Sequence, residues 1–237
     1  MSKQTDHGYD RLAKPYHFFE KLMFGENLTA ARTALLDSIP ACSSALVLGD
    51  GDGRLLEALL CSQPECQITS IDQSESMLDI QQARLSNHPL RNNITWRQQD
   101  ARDLQEFEQP FDLLVSAFFL DCFNLEDLEK HLPQWLNTLR PGGHFYFIDF
   151  QEPRTGWKRL RGKFYLATMH HFFRWQTNLP NRNLVDMNRV LNQCEAEILV
   201  SKNMNNDLIC ARLYRTLPKE ENQDSKSDGQ DPQTLQH

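Results

Sequence analysis

The stretch ALVLGDGDGRLLEALL (45–60) limits the fold more than any other part of the chain. An apolar run passes directly into Gly49-Asp50-Gly51-Asp52-Gly53 and then into a leucine-rich segment at helical spacing. Such glycines let a backbone turn sharply and let a ligand come close to the main chain. A helix opening near Gly53 also offers free N–H groups to an anion. The same sequence serves as a bare strand-to-helix connection, so spacing has to narrow it. A dinucleotide-binding loop needs G-x-G-x-x-G, and Arg54 stands at the third glycine's place. A phosphate-binding P-loop needs Gly-Lys-Ser/Thr, which is missing.

From Ser44 to Phe150 apolar runs alternate with amphipathic stretches, the pattern of parallel strands joined by helices. The expected strands are 45–49, 68–72, 94–98, 111–118 and 144–150. The expected helices are Arg54–Cys61, Ser74–Ser86 and Leu125–Leu139. Ser74 suits an N-cap, and Met77, Leu78 and Leu85 fall on one helix face. Pro141-Gly142-Gly143 is expected to end the third helix and turn the chain into the fifth strand. Segments 196–204 and 207–215 read as a closing antiparallel pair around Asn205-Asn206, after a helical stretch at Asn183–Gln193.

Residues 1–40 read as a helical leader rich in aromatics (Tyr9, Tyr16, Phe18, Phe19, Phe24), and 41–217 as one domain. Within it, 155–175 mixes Trp157, Phe164, Tyr165, Phe172, Phe173 and Trp175 with Lys158, Arg159, Arg161, Lys163 and Arg174. From Pro218 to His237 the composition is polar and charged, and such a tail cannot bury enough apolar surface to order itself. The net charge of −7 argues against a nucleic-acid binder. No apolar run is long enough to span a bilayer and none near the N-terminus resembles a signal peptide, which leads to the expectation of a cytoplasmic protein. Six cysteines without zinc spacing are expected to be reduced thiols, with no metal site.

Taken in order, these segments resemble the class I S-adenosylmethionine-dependent methyltransferases. Asp72 ends the second strand, 19 residues past Gly53, and Gln73-Ser74-Glu75-Ser76-Met77-Leu78 continues as that family does. Asp100-Ala101 follows the third strand, PFDLLVSAFFLDCF (110–123) resembles the fourth-strand motif, and LRPGGHFYFIDF (139–150) the fifth. The resemblance implies an α/β fold. It would be a Rossmann-like, doubly wound, mostly parallel seven-stranded sheet with an antiparallel closing strand and an N-terminal helical leader. It also implies S-adenosylmethionine as cofactor. Its binding residues would be Gly49, Asp50, Gly51, Asp72, Gln73, Met77, Asp100, Ala101, Ser116 and Phe118. In that scheme Asp72 accepts the ribose hydroxyls, Met77 packs on adenine and Asp100 accepts the adenine amino group. Each residue also has a purely structural use: Asp72 or Asp100 as a helix cap, Phe118 and Phe119 as core. One departure is Val47, where the family usually carries an acidic residue. Carboxylates stand inside the loop instead, at Asp50 and Asp52.

The leader is similar to that of ubiquinone/menaquinone-type methyltransferases, which implies closure over the donor with Tyr16 near the methyl group. The 155–175 insertion, with Phe172, is expected to cover a small apolar or aromatic acceptor. Its positive charge fits an anionic group on the acceptor or peripheral contact with a membrane surface. Candidate proton acceptors are Asp121, His144, Asp149, His170 and His171, none of which the sequence selects. The protein is expected to act as a monomer or homodimer. A donor-binding pseudoenzyme or regulatory protein, and an aminopropyl transferase, are the other functions this fold can carry.

Overall fold

The computed structural model describes residues 27–151, 190, 191, 194 and 196–217, and one sheet organises them. Its strands are β1 (Ser44–Leu48), β2 (Gln67–Asp72), β3 (Ile94–Gln98), β4 (Phe111–Ala117), β5 (Leu139–Phe150), β6 (Ala196–Met204) and β7 (Ile209–Thr216). They lie in the order β3-β2-β1-β4-β5-β7-β6. Strands β1 to β5 are parallel, and β7 runs against both β5 and β6. The described helices are α1 (Asn27–Arg32), α2 (Arg54–Ser62), α3 (Glu75–Arg84) and α4 (Leu125–Leu136).

The unbroken apolar run of β1 follows from burial on both faces, as parallel sheets require. Ala45 and Val47 pack with Leu55, Leu56, Leu59 and Leu60 of α2 and with Leu28 and Ala31 of α1. Leu46 and Leu48 point the other way, into a cluster with Leu128, Leu132 and Trp135 of α4 and Phe145 and Phe147 of β5. Helices on both faces make the sheet doubly wound, as expected. Met77, Leu78 and Leu85 are buried, and Ser74 caps α3 by accepting from the Met77 N–H at 3.3 Å.

Two boundaries differ from expectation by more than two residues. Helix α4 stops at Leu136, and β5 begins at Leu139 rather than His144. Leu139 already pairs with Phe111 of β4, and pairing resumes at His144 opposite Leu113. Pro141-Gly142-Gly143 is therefore an excursion inside the strand, not a turn ahead of it. Asp112 fastens this end of the sheet. One oxygen accepts from Ser43 N and Ser44 N, and the other pairs with Arg140 at 2.8 Å.

Of the expected leader, α1 and a single helical turn at Leu36–Ser38 are described. The Tyr146 hydroxyl on β5 holds them to the sheet, donating to Arg32 O at 3.1 Å and accepting from Leu35 N at 3.2 Å. Tyr16, the 155–175 insertion with Phe172, His170 and His171, and the 218–237 tail lie outside the described residues. Of the helix expected at Asn183–Gln193, Val190 and Leu191 are described and helical.

Candidate active site

In an open α/β sheet a ligand lies beyond the carboxyl ends of the strands, where the strand order reverses. Here that point is β1, between β2 and β4. The chain leaves β1 through Gly49 (φ 61°) and Gly51 (φ 65°), left-handed positions costly to any residue with a Cβ. A Cβ at Gly49 would overlap the Phe119 ring, whereas one at Gly51 would meet nothing within 4 Å among the described residues. Gly51 thus leaves open space above the backbone.

The loop's two carboxylates are both engaged. Asp50 turns back to cap α2, accepting from Leu55 N at 3.3 Å and Leu56 N at 2.9 Å. Burial drives its carboxyl up to about 7, against the pull of those amides and of nearby Arg32. Asp52 pairs with Arg54 and with Arg84 of α3, each at 3.0 Å. Helix α3 braces the loop at two further points. Gln81 is fully buried and donates to Gly51 O at 3.1 Å while accepting from Ser70 at 2.9 Å; Arg84 Nε donates to Asp52 O at 2.6 Å. Val47 faces the core against α2 and contributes nothing polar.

Asp72 ends the adjacent β2. Its Oδ1 accepts from Ser74 N at 3.0 Å, and desolvation raises the carboxyl to about 6 despite the amides of Ser74 and Gln73. Asp100 follows β3 and caps a short turn, accepting from Arg102 N at 2.9 Å and pairing with the Arg102 guanidinium. Burial pushes Asp100 up, but the Arg102 bonds and charge outweigh it, and the carboxyl lies below its ordinary value. Ala101 is buried, and its carbonyl accepts from Trp135 Nε1 of α4 at 2.7 Å. At the end of β4, the Ser116 hydroxyl is buried without a hydrogen-bond partner among the described residues. Phe118 takes a left-handed φ of 54°, and its ring lies tilted against Phe150 and carries the Arg32 guanidinium at 5.2 Å.

A family described as a methyltransferase domain matches residues 45–143. The chain is 35 % identical over 98 residues to a demethylmenaquinone methyltransferase of Desulfitobacterium hafniense, covering 41 % of this chain and 38 % of that protein. It is 28 % identical over 156 residues to the enzyme of that name from Bacteroides fragilis, covering 64 % and 62 %. The matches thus span less than two thirds of either relative. Among solved structures, the N-methyltransferase NodS of Bradyrhizobium japonicum, in complex with S-adenosylhomocysteine, has the same fold. Its TM-score is 0.63 at 18 % identity, over 90 % of this chain and 98 % of that one. Residues 45–143 thus match a methyltransferase-domain family, and the chain shares the fold of a solved methyltransferase.

The fold brings the expected donor residues to one edge. Gly49, Asp50, Gly51, Asp72, Gln73, Met77, Asp100, Ala101, Ser116 and Phe118 all sit at or just beyond the carboxyl ends of β1 to β4. The chain's own groups fit the cofactor. Gly51 leaves room for a ligand against the main chain, Asp72 supplies a carboxylate at the strand end, and Ser116 keeps an unsatisfied hydroxyl.

Among the candidate proton acceptors, the domain separates His144 from the others. His144 lies near the amino end of β5, beside Arg215, Arg140 and Asp112 and far from the loop; burial and the two arginines lower its pKa. The expected strand 144–150 already put His144 at its first residue, and the observed strand keeps it toward the amino end. Asp121 and Asp149 do reach the carboxyl ends. Asp149 is fully buried and accepts from Phe150 N at 2.8 Å and Asp121 N at 3.1 Å, so it ties the turn after β4 to β5. Burial, reinforced by the Asp121 charge, raises Asp149 well above its usual value. Asp121 is raised by desolvation to about 6 and accepts from the Cys122 thiol at 3.7 Å. Sequence reading missed Gln81 and Arg84 as braces of the loop. Their place three and seven residues after Leu78 and Met77 on one helix face was the available signal.

Proposed function

We propose that this chain transfers a methyl group from S-adenosylmethionine to a small-molecule acceptor. The observation that carries the reading is the pairing of two neighbouring strand ends. A glycine loop with open space at Gly51 leaves β1, and an acidic residue, Asp72, closes β2 beside it. In this reading Asp72 accepts from the ribose hydroxyls, with Gln73 beside it. Met77 and Ala101 border the adenine, and Asp100 takes its amino group. The backbone of Gly49 and Gly51 lies along the amino-acid portion, and Ser116 and Phe118 close the site at β4. Asp50 acts from behind the loop, as the cap of α2.

The bound cofactor supplies an activated methyl group on a good leaving group. The chain's task is then to align the acceptor and exclude water. Where the acceptor nucleophile carries a proton, Asp121 is the group placed to take it. Its carboxyl, raised to about 6, is ionised at neutral pH yet a better base than an ordinary aspartate. The relatives named as demethylmenaquinone methyltransferases support a small apolar or aromatic acceptor. Phe172 and Tyr16 would contact it, and the basic 155–175 segment would cover it or rest on a membrane surface.

The test is calorimetry with S-adenosylhomocysteine, the demethylated cofactor. Asp72→Ala removes the acceptor for two hydroxyls, so affinity is expected to fall by about 2–4 kcal/mol in a protein that stays folded. Unchanged affinity overturns the site assignment.

A further inference from the structure

At the end of the sheet away from the glycine loop, the Sγ atoms of Cys42 and Cys66 stand 3.2 Å apart. Cys42 precedes β1 and Cys66 directly precedes β2. Gln67 N donates to Ser43 O at 2.9 Å, so the two cysteines flank one rung of a parallel ladder. Neighbouring strands run about 4.8 Å apart, within the roughly 4.4–6.8 Å Cα separation that disulfides adopt. Their separation of 24 positions in sequence hides a pairing that the fold creates.

The surroundings orient one thiol and shelter the other. Gln63 is buried; its Oε1 accepts from Cys42 N at 3.2 Å and faces the Cys42 sulfur at 3.8 Å, while its Nε2 donates to Ile39 O. Cys42 is half-buried and Cys66 is fully buried. The contact from Cys66 holds the Cys42 thiol below its ordinary pKa, against burial and the charge of Asp112. Among the described residues no cluster of three or more metal-ligating side chains includes them.

We propose that Cys42 and Cys66 form an oxidisable dithiol, converted by a low-molecular-weight disulfide into a bond that staples the start of β1 to the start of β2. The Cys42 thiolate attacks one sulfur of oxidised glutathione, whose S–S bond breaks, and the leaving glutathione takes up a proton. Cys66 then attacks Cys42 Sγ, the bond from Cys42 to glutathione breaks, and the second glutathione leaves as a thiol with the proton that Cys66 gives up. Two protein thiols are oxidised and one glutathione disulfide is reduced to two thiols. Closing the sulfurs to bonding distance needs about 1 Å of side-chain movement. The loop after β1 lies five strand residues away, about 16 Å, so the staple leaves the donor site in place.

The experiment treats the whole protein with oxidised glutathione and maps peptides without reduction. The expected result is a Cys42–Cys66 link, a higher thermal midpoint that reductant reverses, and unchanged S-adenosylhomocysteine affinity. Cys66→Ser, or Cys66→Ala if that variant folds poorly, is expected to stop at a glutathione adduct on Cys42. Cys42→Ser is expected to give neither link nor adduct there. Exposed Cys61 serves as the internal control. Its modification without any Cys42–Cys66 link overturns the proposal, as does an adduct that accumulates on Cys66 when Cys42 is replaced.

Discussion

The loop after β1 and the turn after β4 make the same manoeuvre with opposite materials. Each leaves a central strand through a left-handed residue, Gly49 at φ 61° and Phe118 at φ 54°. In the first, glycine removes the steric cost, and a neighbouring helix braces the result through Gln81 and Arg84. In the second, a bulky residue pays that cost, and a buried carboxylate on the next strand, Asp149, holds the amides that follow. A conformation that glycine permits is visible in the residues that adopt it. A conformation imposed by a distant partner is visible only once the partner is in place.

The largest effect that would break this comparison is expected at Asp149. Asp149→Ala leaves the amides of Leu120, Asp121 and Phe150 without their acceptor in a buried site, and a loss of about 3–5 kcal/mol in urea unfolding is expected. A loss below about 1 kcal/mol would mean that the turn after β4 holds itself.

Next comes the pH dependence of the first loop. Asp50 has a folded pKa of about 7 against an ordinary 3.8, so the folded state binds its proton more tightly than the unfolded chain does. The stability this proton supplies is complete below about pH 4 and is lost as pH rises through about 7. The shift corresponds to at most about 4 kcal/mol. Asp72, raised to about 6, adds to the loss over the same range. Asp50→Asn keeps an acceptor for the α2 amides but cannot ionise, so its unfolding free energy is expected to vary less between pH 4 and 7 than that of the parent protein. An unaltered slope would exclude Asp50 as its source.

The smallest effect sharpens the contrast between two glycines. Gly51→Ala meets open space and is expected to cost about 1 kcal/mol for its left-handed backbone. Its methyl group would occupy the space assigned to the donor, so S-adenosylhomocysteine affinity should fall by more than stability does. Gly49→Ala, which forces the Phe119 ring aside, is expected to cost more stability than Gly51→Ala. Equal thermal midpoints for the two would refute that ranking.

The same contrast explains what could be read in advance. β1 to β4 were legible to within a residue because strands buried on both faces are apolar throughout, and Ser74 was legible as a cap because capping is local. The start of β5 was not: pairing of Leu139 with Phe111 draws Pro141-Gly142-Gly143 into the strand. The donor residues were legible as positions, but their present bonds were not. Asp50 and Asp100 each cap a helical turn, and that depends on where Leu55, Leu56 and Arg102 fold. Cys42 and Cys66 meet for the same reason, through the register of two strands rather than through spacing in the chain.

The Tyr146 hydroxyl, bonded to Arg32 O and Leu35 N, has a consequence for the order in which the molecule can be made. Its partners precede it by 114 and 111 residues. At synthesis rates of about 5–20 residues per second, α1 therefore waits roughly ten seconds for the group that fastens it. Over that interval Leu28, Ala31 and Leu35, all buried in the finished fold, have no strand β5 to lie against. The newborn chain carries an adhesive face at α1 whose covering its own later half completes.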